Sequence, residues 1–156
     1  MDELHKQLLE NLHYAPETGV FTWIKQKANK IKVGSIAGHK NKKGYIRIRF
    51  QNKFYLAHRL AWLYVYKQFP TKDLDHINRN KEDNRLSNLR ETSKIENSHN
   101  RDSKGYCFHK AANKWMSQIT TNRIVRYLGL FNTKEEAREA YLKAKREHHL
   151  TWSENV

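Results

Sequence analysis

The spacing of apolar residues predicts regular secondary structure through the first half of the chain. Leucines at every fourth position predict a short helix over residues 2–12. Strict alternation predicts a hairpin over 45–57, with apolar side chains on one face and basic side chains on the other. A run rich in Leu, Trp and Tyr predicts a buried helix over 58–68, which Pro70 ends.

The middle of the chain has the order strand, loop, strand, helix. Extended segments at 72–77 and 89–92 flank a polar loop at 78–88. The capping box Ser93-x-x-Glu96 then starts a helix that runs to about residue 100.

A different pattern follows a polar joint at residues 98–104. It predicts a small sheet and a helix that the capping box Thr133-x-x-Glu136 opens, with strands at 106–110, 114–120 and 124–130. We therefore predict an α+β protein of two small domains. The first covers 1–101, with a basic part at 1–44 and a hairpin, helix and strand–loop–strand–helix core at 45–101; the second covers 102–156.

The charge of the chain indicates a polyanionic partner. Lys and Arg number 30 against 16 Asp and Glu, a net charge of +14. Residues 18–72 hold 13 Lys or Arg and no acid, and acidic residues then reappear from Asp73 onward. Double-stranded DNA is the expected partner. A membrane surface is the alternative, but we find no basic amphipathic helix for it.

Cysteine use and hydropathy narrow the class of protein. The single cysteine, Cys107, permits no internal disulfide and no thiolate zinc site. We find no signal peptide and no apolar run near 18 residues. We expect a soluble intracellular protein, a monomer or weak dimer.

Polar residues with the chemistry of phosphodiester hydrolysis concentrate in the middle segment. Asp75 and His76 end one strand, and neighbours in a strand point to opposite sides. Asn97 follows in the first turns of the next helix. A neutral histidine can take a proton from water near neutral pH, and Asp and Asn offer the oxygen ligands that Mg²⁺ prefers. The segment is therefore a candidate metal-dependent nuclease site.

These residues resemble the signature of the HNH endonucleases, most closely members with a ββα-metal fold borne by phages and introns. The resemblance covers about residues 14–101, through Ala57 to Trp62 (AHRLAW), Asp75 to Asn78 (DHIN), Asp83 to Arg90 (DNRLSNLR) and Glu96-Asn97. It implies a site-preferring, homing-type DNA endonuclease that leaves 5′-phosphate and 3′-hydroxyl ends, in the cytoplasm of a bacterial or phage-infected cell.

The resemblance also implies individual roles. His76 is the general base, and Asp75 and Asn97 hold one divalent cation, Mg²⁺ or alternatively Mn²⁺. Asn88 holds the loop and orients His76, and Asn84 shapes the loop turn. Asn97 stands where some members have histidine, and the paired cysteines of a structural zinc are absent, so no structural zinc is expected.

The C-terminal segment resembles the AP2 DNA-binding domain over about 105–149. The match rests on Gly105 to His109 (GYCFH), Lys114-Trp115, Tyr127 to Phe131 (YLGLF) and Ala137 to Tyr141. Such domains lay a three-stranded sheet in the major groove. Cys107 and His109 stand where that family commonly has guanine-reading arginines, which implies relaxed sequence reading.

Candidate DNA-binding residues come from three places. They are Arg47, Arg49 and Lys53 on the hairpin; Arg90, Asn100 and Arg101 around the candidate site; and His109, Lys114, Gln118, Thr120, Arg123 and Tyr127 on the C-terminal sheet. His58 opens a buried helix and is interpreted as structural.

Two other functions remain open at this point. A DNA-binding regulator would carry the same basic surfaces around an inert nuclease segment. An RNA-binding protein would be expected to expose aromatic side chains on a single-strand platform, whereas the tryptophans here are expected to be mostly buried.

Overall fold

The computed structural model describes residues 2–26, 31–121 and 123–149. Its contacts divide the chain into two compact units, 1–94 (unit 1) and 95–156 (unit 2), whereas the sequence analysis placed the division after residue 101. Helices and small sheets are mixed in both units, which confirms the α+β class. No helix among the described residues is both long and apolar enough to cross a bilayer.

Unit 1 consists of three small antiparallel sheets and two helices. Its elements are α1 (Asp2–Asn11), β1 (Leu12–Ala15), β2 (Val20–Trp23), β3 (His39–Lys40), β4 (Ile46–Phe50), β5 (Lys53–Leu56), α2 (Ala57–Tyr66), β6 (Asp73–His76) and β7 (Leu89–Thr92). The sheets pair β1 with β2, β3 with β4 and β5, and β6 with β7. Helix α3 (Lys94–His99) begins at the last residue of unit 1.

The predicted β4–β5 hairpin and the helix after it form the centre of unit 1. Ile48 and Phe50 on β4 are buried, while Arg49 between them is exposed, as the alternation predicts. Helix α2 buries Leu60 and Leu63 in the same core. It ends at Lys67, whose left-handed backbone caps the helix before Pro70.

The pattern of residues 20–24 predicts a strand, which is present as β2, but β1 was not predicted because it continues directly from the helix pattern of α1. The turn of the β1–β2 hairpin contains Gly19, whose φ is +71°. A Cβ on Gly19 would lie 2.4 Å from the Arg85 backbone nitrogen and 2.6 Å from the Asn84 carbonyl carbon. The hairpin turn thus packs directly on the backbone of the polar loop between β6 and β7.

Unit 2 is a three-stranded antiparallel sheet backed by one long helix. Its elements are β8 (Tyr106–His109), β9 (Lys114–Thr121), β10 (Ile124–Phe131) and α4 (Lys134–His148), with β9 in the centre of the sheet. On β9, Ser117 and Ile119 are buried while Gln118 and Thr120 are exposed, as the alternation predicts. The capping box at the start of α4 is present, with Thr133 and Glu136 bonding each other's backbone N–H groups.

Candidate active site

Strands β6 and β7 pair antiparallel and place Asp75 and His76 at the end of β6. Asp75 lies opposite Arg90 and His76 lies opposite Leu89. Both side chains are buried, with Asp75 8% and His76 3% exposed. The pair therefore occupies the least solvated part of this small sheet, where electrostatic interactions are stronger than in water.

Asn84 contacts the ring of His76. Its Oδ1 lies 3.4 Å from His76 Nε2, and its Nδ2 donates to the Glu82 carbonyl at 3.0 Å. The second bond fixes which end of the amide faces the histidine. Because an amide oxygen only accepts, this contact favours the tautomer of the neutral ring that carries its proton on Nε2.

The backbone of Asn84 is held by the β1–β2 hairpin. The Tyr14 hydroxyl donates to the Asn84 carbonyl at 2.8 Å, and burial raises the Tyr14 pKa to about 12. Tyr14 therefore remains a hydrogen-bond donor throughout the neutral range. The sequence analysis gave Asn84 only a turn-shaping role and missed this hairpin contact. The strongest sequence signal for a larger role was the position of Asn84 within the motif.

Asn88 holds the polar loop closed. Its Oδ1 accepts from the Asn78 N–H at 2.9 Å, and its Nδ2 donates to the Asp83 carbonyl at 2.8 Å. Asp83 in turn accepts from Asn78 Nδ2 at 2.7 Å and from the Arg85 guanidinium, which holds the Asp83 pKa below its ordinary value. Asn88 thus acts on the loop backbone, and the amide at the His76 ring is that of Asn84.

Arg90 makes an ion pair with Asp75. Its Nη2 lies 3.0 Å and its Nε 3.3 Å from Asp75 Oδ2, since the two residues face each other across the strands. The sequence analysis expected Arg90 to contact DNA. In the structure the Arg90 guanidinium binds the Asp75 carboxylate. A contact between Arg90 and a DNA phosphate would therefore compete with this ion pair.

His76 is surrounded by aromatic rings. The His58 ring lies 5.0 Å away, centroid to centroid, at 86°, and the Tyr45 ring lies 5.9 Å away. Burial lowers the His76 pKa from its ordinary value, against the opposing effects of Asn84 and Asp75. The ring is therefore neutral at neutral pH, the state in which it can accept a proton.

The donor atoms in this segment suit a hard cation. Asp75 supplies a carboxylate in unit 1, and Asn97 is a half-buried residue of α3 in unit 2. Among the described residues, no three His, Cys, Asp or Glu side chains cluster as metal ligands.

Most candidate DNA-binding side chains are exposed. In unit 1 these are Arg49 and Lys53; in unit 2 they are Arg101, His109, Lys114, Gln118, Thr120, Arg123 and Tyr127. On the sheet, Tyr127 lies opposite Gln118, so the two share one face.

Two other candidates are not simple surface groups. Arg47 is half-buried; its guanidinium lies 4.3 Å over the Phe54 ring, and its Nε donates to His39 at 2.9 Å. Asn100 is only 3% exposed, which corrects its assignment as a DNA contact, because a buried side chain has almost no surface to offer a duplex.

Comparisons with known proteins identify the same segment. Residues 55–99 match the family described as HNH endonuclease. Among solved structures, the HNH homing endonuclease I-HmuI, studied for its DNA binding and cleavage, is 22% identical, with 89% of this chain and 87% of that chain covered and a TM-score of 0.45. No curated protein matches the chain.

The matched residues 55–99 contain β6, the polar loop and β7, and with them the neutral His76, its partner Asn84 and the carboxylate of Asp75. The family match and the site chemistry thus fall on the same residues, and over 55–99 this chain is similar to the HNH endonucleases.

Proposed function

We propose that the chain is a metal-dependent, homing-type endonuclease that prefers particular sites in double-stranded DNA, with His76 as the general base. The observation that carries the proposal is the buried, neutral His76 ring with Asn84 Oδ1 at its Nε2 and Asp75 beside it. A base of this kind contributes roughly 10²–10⁴-fold to a hydrolysis rate.

The reaction follows from the tautomer. His76 Nδ1 accepts a proton from water, and the resulting hydroxide oxygen attacks phosphorus. The bond from phosphorus to the 3′ oxygen breaks, that oxygen takes a proton from a water molecule and leaves as a 3′-hydroxyl, and the phosphate stays on the 5′ oxygen of the next nucleotide. The Oδ1 atom of Asn84 accepts a hydrogen bond from the Nε2–H group of His76 throughout the reaction. The imidazolium that forms therefore remains hydrogen-bonded.

Asp75 is the residue of unit 1 that would hold a divalent cation, Mg²⁺ in the first instance, and Asn97 stays the second ligand that the sequence resemblance implies. When bound, the cation supplies positive charge to the phosphate oxygens and to the leaving oxygen. The Asp75 carboxylate is buried and already stabilised by a positive neighbour, Arg90. A cation at the carboxylate would take over part of the role of that guanidinium.

Two surfaces would hold the duplex. Arg49 and Lys53 on the β4–β5 hairpin carry exposed charge suited to phosphates. On unit 2, the exposed face with Lys114, Gln118 and Tyr127 offers one cation, one amide and one aromatic ring, a set suited to base edges in a groove.

The test is cleavage of supercoiled plasmid with Mg²⁺ or with EDTA, comparing wild type, His76→Ala and His13→Ala. His13 is an exposed histidine on β1 and is the matched control. We expect metal-dependent nicking or linearisation by wild type and by the control, and a loss of at least about 100-fold in His76→Ala. Cleavage by His76→Ala at the wild-type rate would overturn the proposal.

A second function, DNA binding without cleavage, is favoured by one observation. The Arg90 guanidinium on Asp75 would weaken that carboxylate as a cation ligand. A duplex that is bound but left uncut in Mg²⁺ and in Mn²⁺ would support this regulator function. This test requires a library of DNA sequences in place of one plasmid, because a single plasmid can lack the sequence that a site-preferring enzyme cuts.

A further inference from the structure

His58 is a buried histidine close to the candidate base. It is the second residue of α2 and is only 4% exposed. Its ring meets that of His76 edge to face, at 5.0 Å and 86°. The Tyr45 ring lies 5.4 Å from His58 and 5.9 Å from His76, so the three rings form one cluster (the three-ring cluster).

The Nδ1 atom of His58 is buried and has no hydrogen-bond partner among the residues that the structure describes. A buried polar atom left unsatisfied lowers the stability of the folded protein. Phenylalanine or leucine would fill comparable space in the core without that cost. Packing alone therefore gives no reason for a histidine at this position, and the polar ring is retained against stability.

The chemistry of an edge-to-face contact supplies a reason. Aromatic rings attract when the positive edge of one meets the negative face of the other, and an imidazole edge is more polar than a phenyl edge. A charged imidazole would instead repel the protonated base. Burial lowers the His58 pKa to about 3, helped by the nearby His76 and Arg59, so the ring stays neutral.

We propose that His58 is a positioning residue of the nuclease site, whose ring packs edge to face on His76 and holds it in the orientation that keeps its Nε2 on Asn84. The inference rests on the proposed function, since it concerns the base of that reaction. His58 acts through His76 and touches neither the substrate nor the reacting atoms.

The first experiment is long-range ¹H–¹⁵N spectroscopy of the imidazole rings in the metal-free full chain at pH 7. In the wild type we expect a neutral His58 and a His76 ring protonated on Nε2. A charged His58, or a His76 ring protonated on Nδ1, would overturn the proposal without any variant.

The second experiment compares His58→Phe and His58→Leu with His13→Phe as the matched control. We expect both His58 variants to mix the His76 tautomers and to lower kcat about tenfold with little change in KM, since general-base catalysis depends on ring geometry. Thermal melting establishes that each variant is folded. Folded variants with wild-type His76 spectra and wild-type kcat would show that His58 is merely structural.

The two proposals fail separately. If the wild type cuts no DNA with any metal, the proposed function fails, while the spectra still decide whether His58 orients His76. If the wild type cuts DNA and the His58 variants keep both the tautomer and kcat, only the positioning role fails. Should neither variant fold, the wild-type spectra alone support or overturn the orientation.

Discussion

The two units of the chain are stabilised in different ways. Unit 1 has an extended apolar core that includes Leu8, Ile48, Phe50, Leu60 and Leu63. In the described part of unit 2, the buried apolar cluster consists of Ile119, Tyr141 and Ala144, with Leu128 and Leu142 packed against it. Both units bury ionisable groups, Asp75 and His76 in unit 1 and Lys145 and His149 in unit 2, but unit 2 does so around a much smaller apolar cluster.

Polar anchors compensate for the small core of unit 2. The Arg138 guanidinium bonds the Ser103 and Lys104 carbonyls and the Asp102 carboxylate. The buried Lys145 ammonium bonds the Arg101 carbonyl at 2.5 Å. These bonds fix the segment that leads into β8. The comparison teaches that unit 1 is stabilised mainly by apolar burial, whereas unit 2 adds charged side chains that bind backbone carbonyls.

The largest expected effect concerns the hairpin turn that supports the Asn84 loop. Gly19→Ala would force a Cβ into backbone atoms and put alanine at φ +71°. Overpacking and the left-handed backbone together predict a loss of roughly 3–5 kcal/mol in the unfolding free energy of unit 1, and loss of cleavage. Hydrogen exchange read by peptide mass spectrometry would assign the destabilisation to unit 1.

Gly34→Ala is the matched control for that prediction. Gly34 also has a positive φ, +83°, but a Cβ there would meet nothing within 4 Å. It should therefore lose only the backbone cost of about 1–2 kcal/mol and should keep cleavage. Equal losses in the two variants would mean that the hairpin turn does not support the polar loop.

Unit 2 should be more sensitive than unit 1 to the loss of one core side chain. Ile119→Ala removes a central member of its small cluster, and Ile→Ala in a core costs about 2–5 kcal/mol. We expect unit 2 to unfold as a whole, with lost affinity for duplex DNA, while unit 1 keeps its exchange protection. Parallel loss of protection in both units would show that they fold as one body.

Acid should destabilise unit 1 through His58. Its folded pKa is about 3 against an ordinary 6.5, so the unfolded chain binds more protons between those values. The contribution of His58 to the free energy of unfolding is complete above about pH 6.5. Below that pH the free energy of unfolding falls by about 1.4 kcal/mol per pH unit. His76 and Arg59 are the charged or titratable groups that act on His58, and His76, whose pKa is also lowered, adds to the slope.

Denaturant unfolding of unit 1 from pH 7 to pH 4, followed by hydrogen exchange, measures this slope. His58→Leu should flatten it, and the exposed His13→Leu should not. Unit 2 has its own buried histidine, His149, whose pKa is also lowered by burial, so its stability should fall with acid in the same direction. A slope unchanged in His58→Leu would remove His58 as its source.

The sequence predicted the elements that have a strong local signal. The alternation of β4 and β9, the α4 capping box and the strand–loop–strand–helix order of the motif are all present. These features depend on residues that are close together in the sequence. The spacing of apolar and polar residues is therefore enough to predict them. Strand β1 was missed because its few residues extend the apolar spacing of α1.

The contacts that build the site were not predictable in this way. The His76–Asn84 bond depends on the fold of the polar loop, and the His58–His76 contact joins α2 to β6. The Arg90–Asp75 pair depends on the register of β6 and β7, which no spacing rule specified. Each needs the tertiary packing that brings separate elements together.

The smallest expected effect concerns the ion pair between Arg90 and Asp75 and its influence on the binding of a cation. Arg90→Leu removes the guanidinium that competes for the Asp75 carboxylate. We expect the DNA-free chain to bind Mg²⁺ or Mn²⁺ about fivefold more tightly, which corresponds to about 1 kcal/mol for a partly exposed ion pair. Titration calorimetry with each metal measures this change in affinity.

Lys25→Leu removes one positive charge from an exposed pair with Glu10 and is the control for net charge. If Arg90→Leu and Lys25→Leu bind metal equally, the Arg90–Asp75 pair does not regulate the cation site. If Arg90→Leu binds metal more tightly yet cleaves more slowly, Arg90 has a second role on DNA. The same guanidinium would then stabilise the buried carboxylate before the cation binds and contact a phosphate afterwards, which links the interior of unit 1 to its substrate.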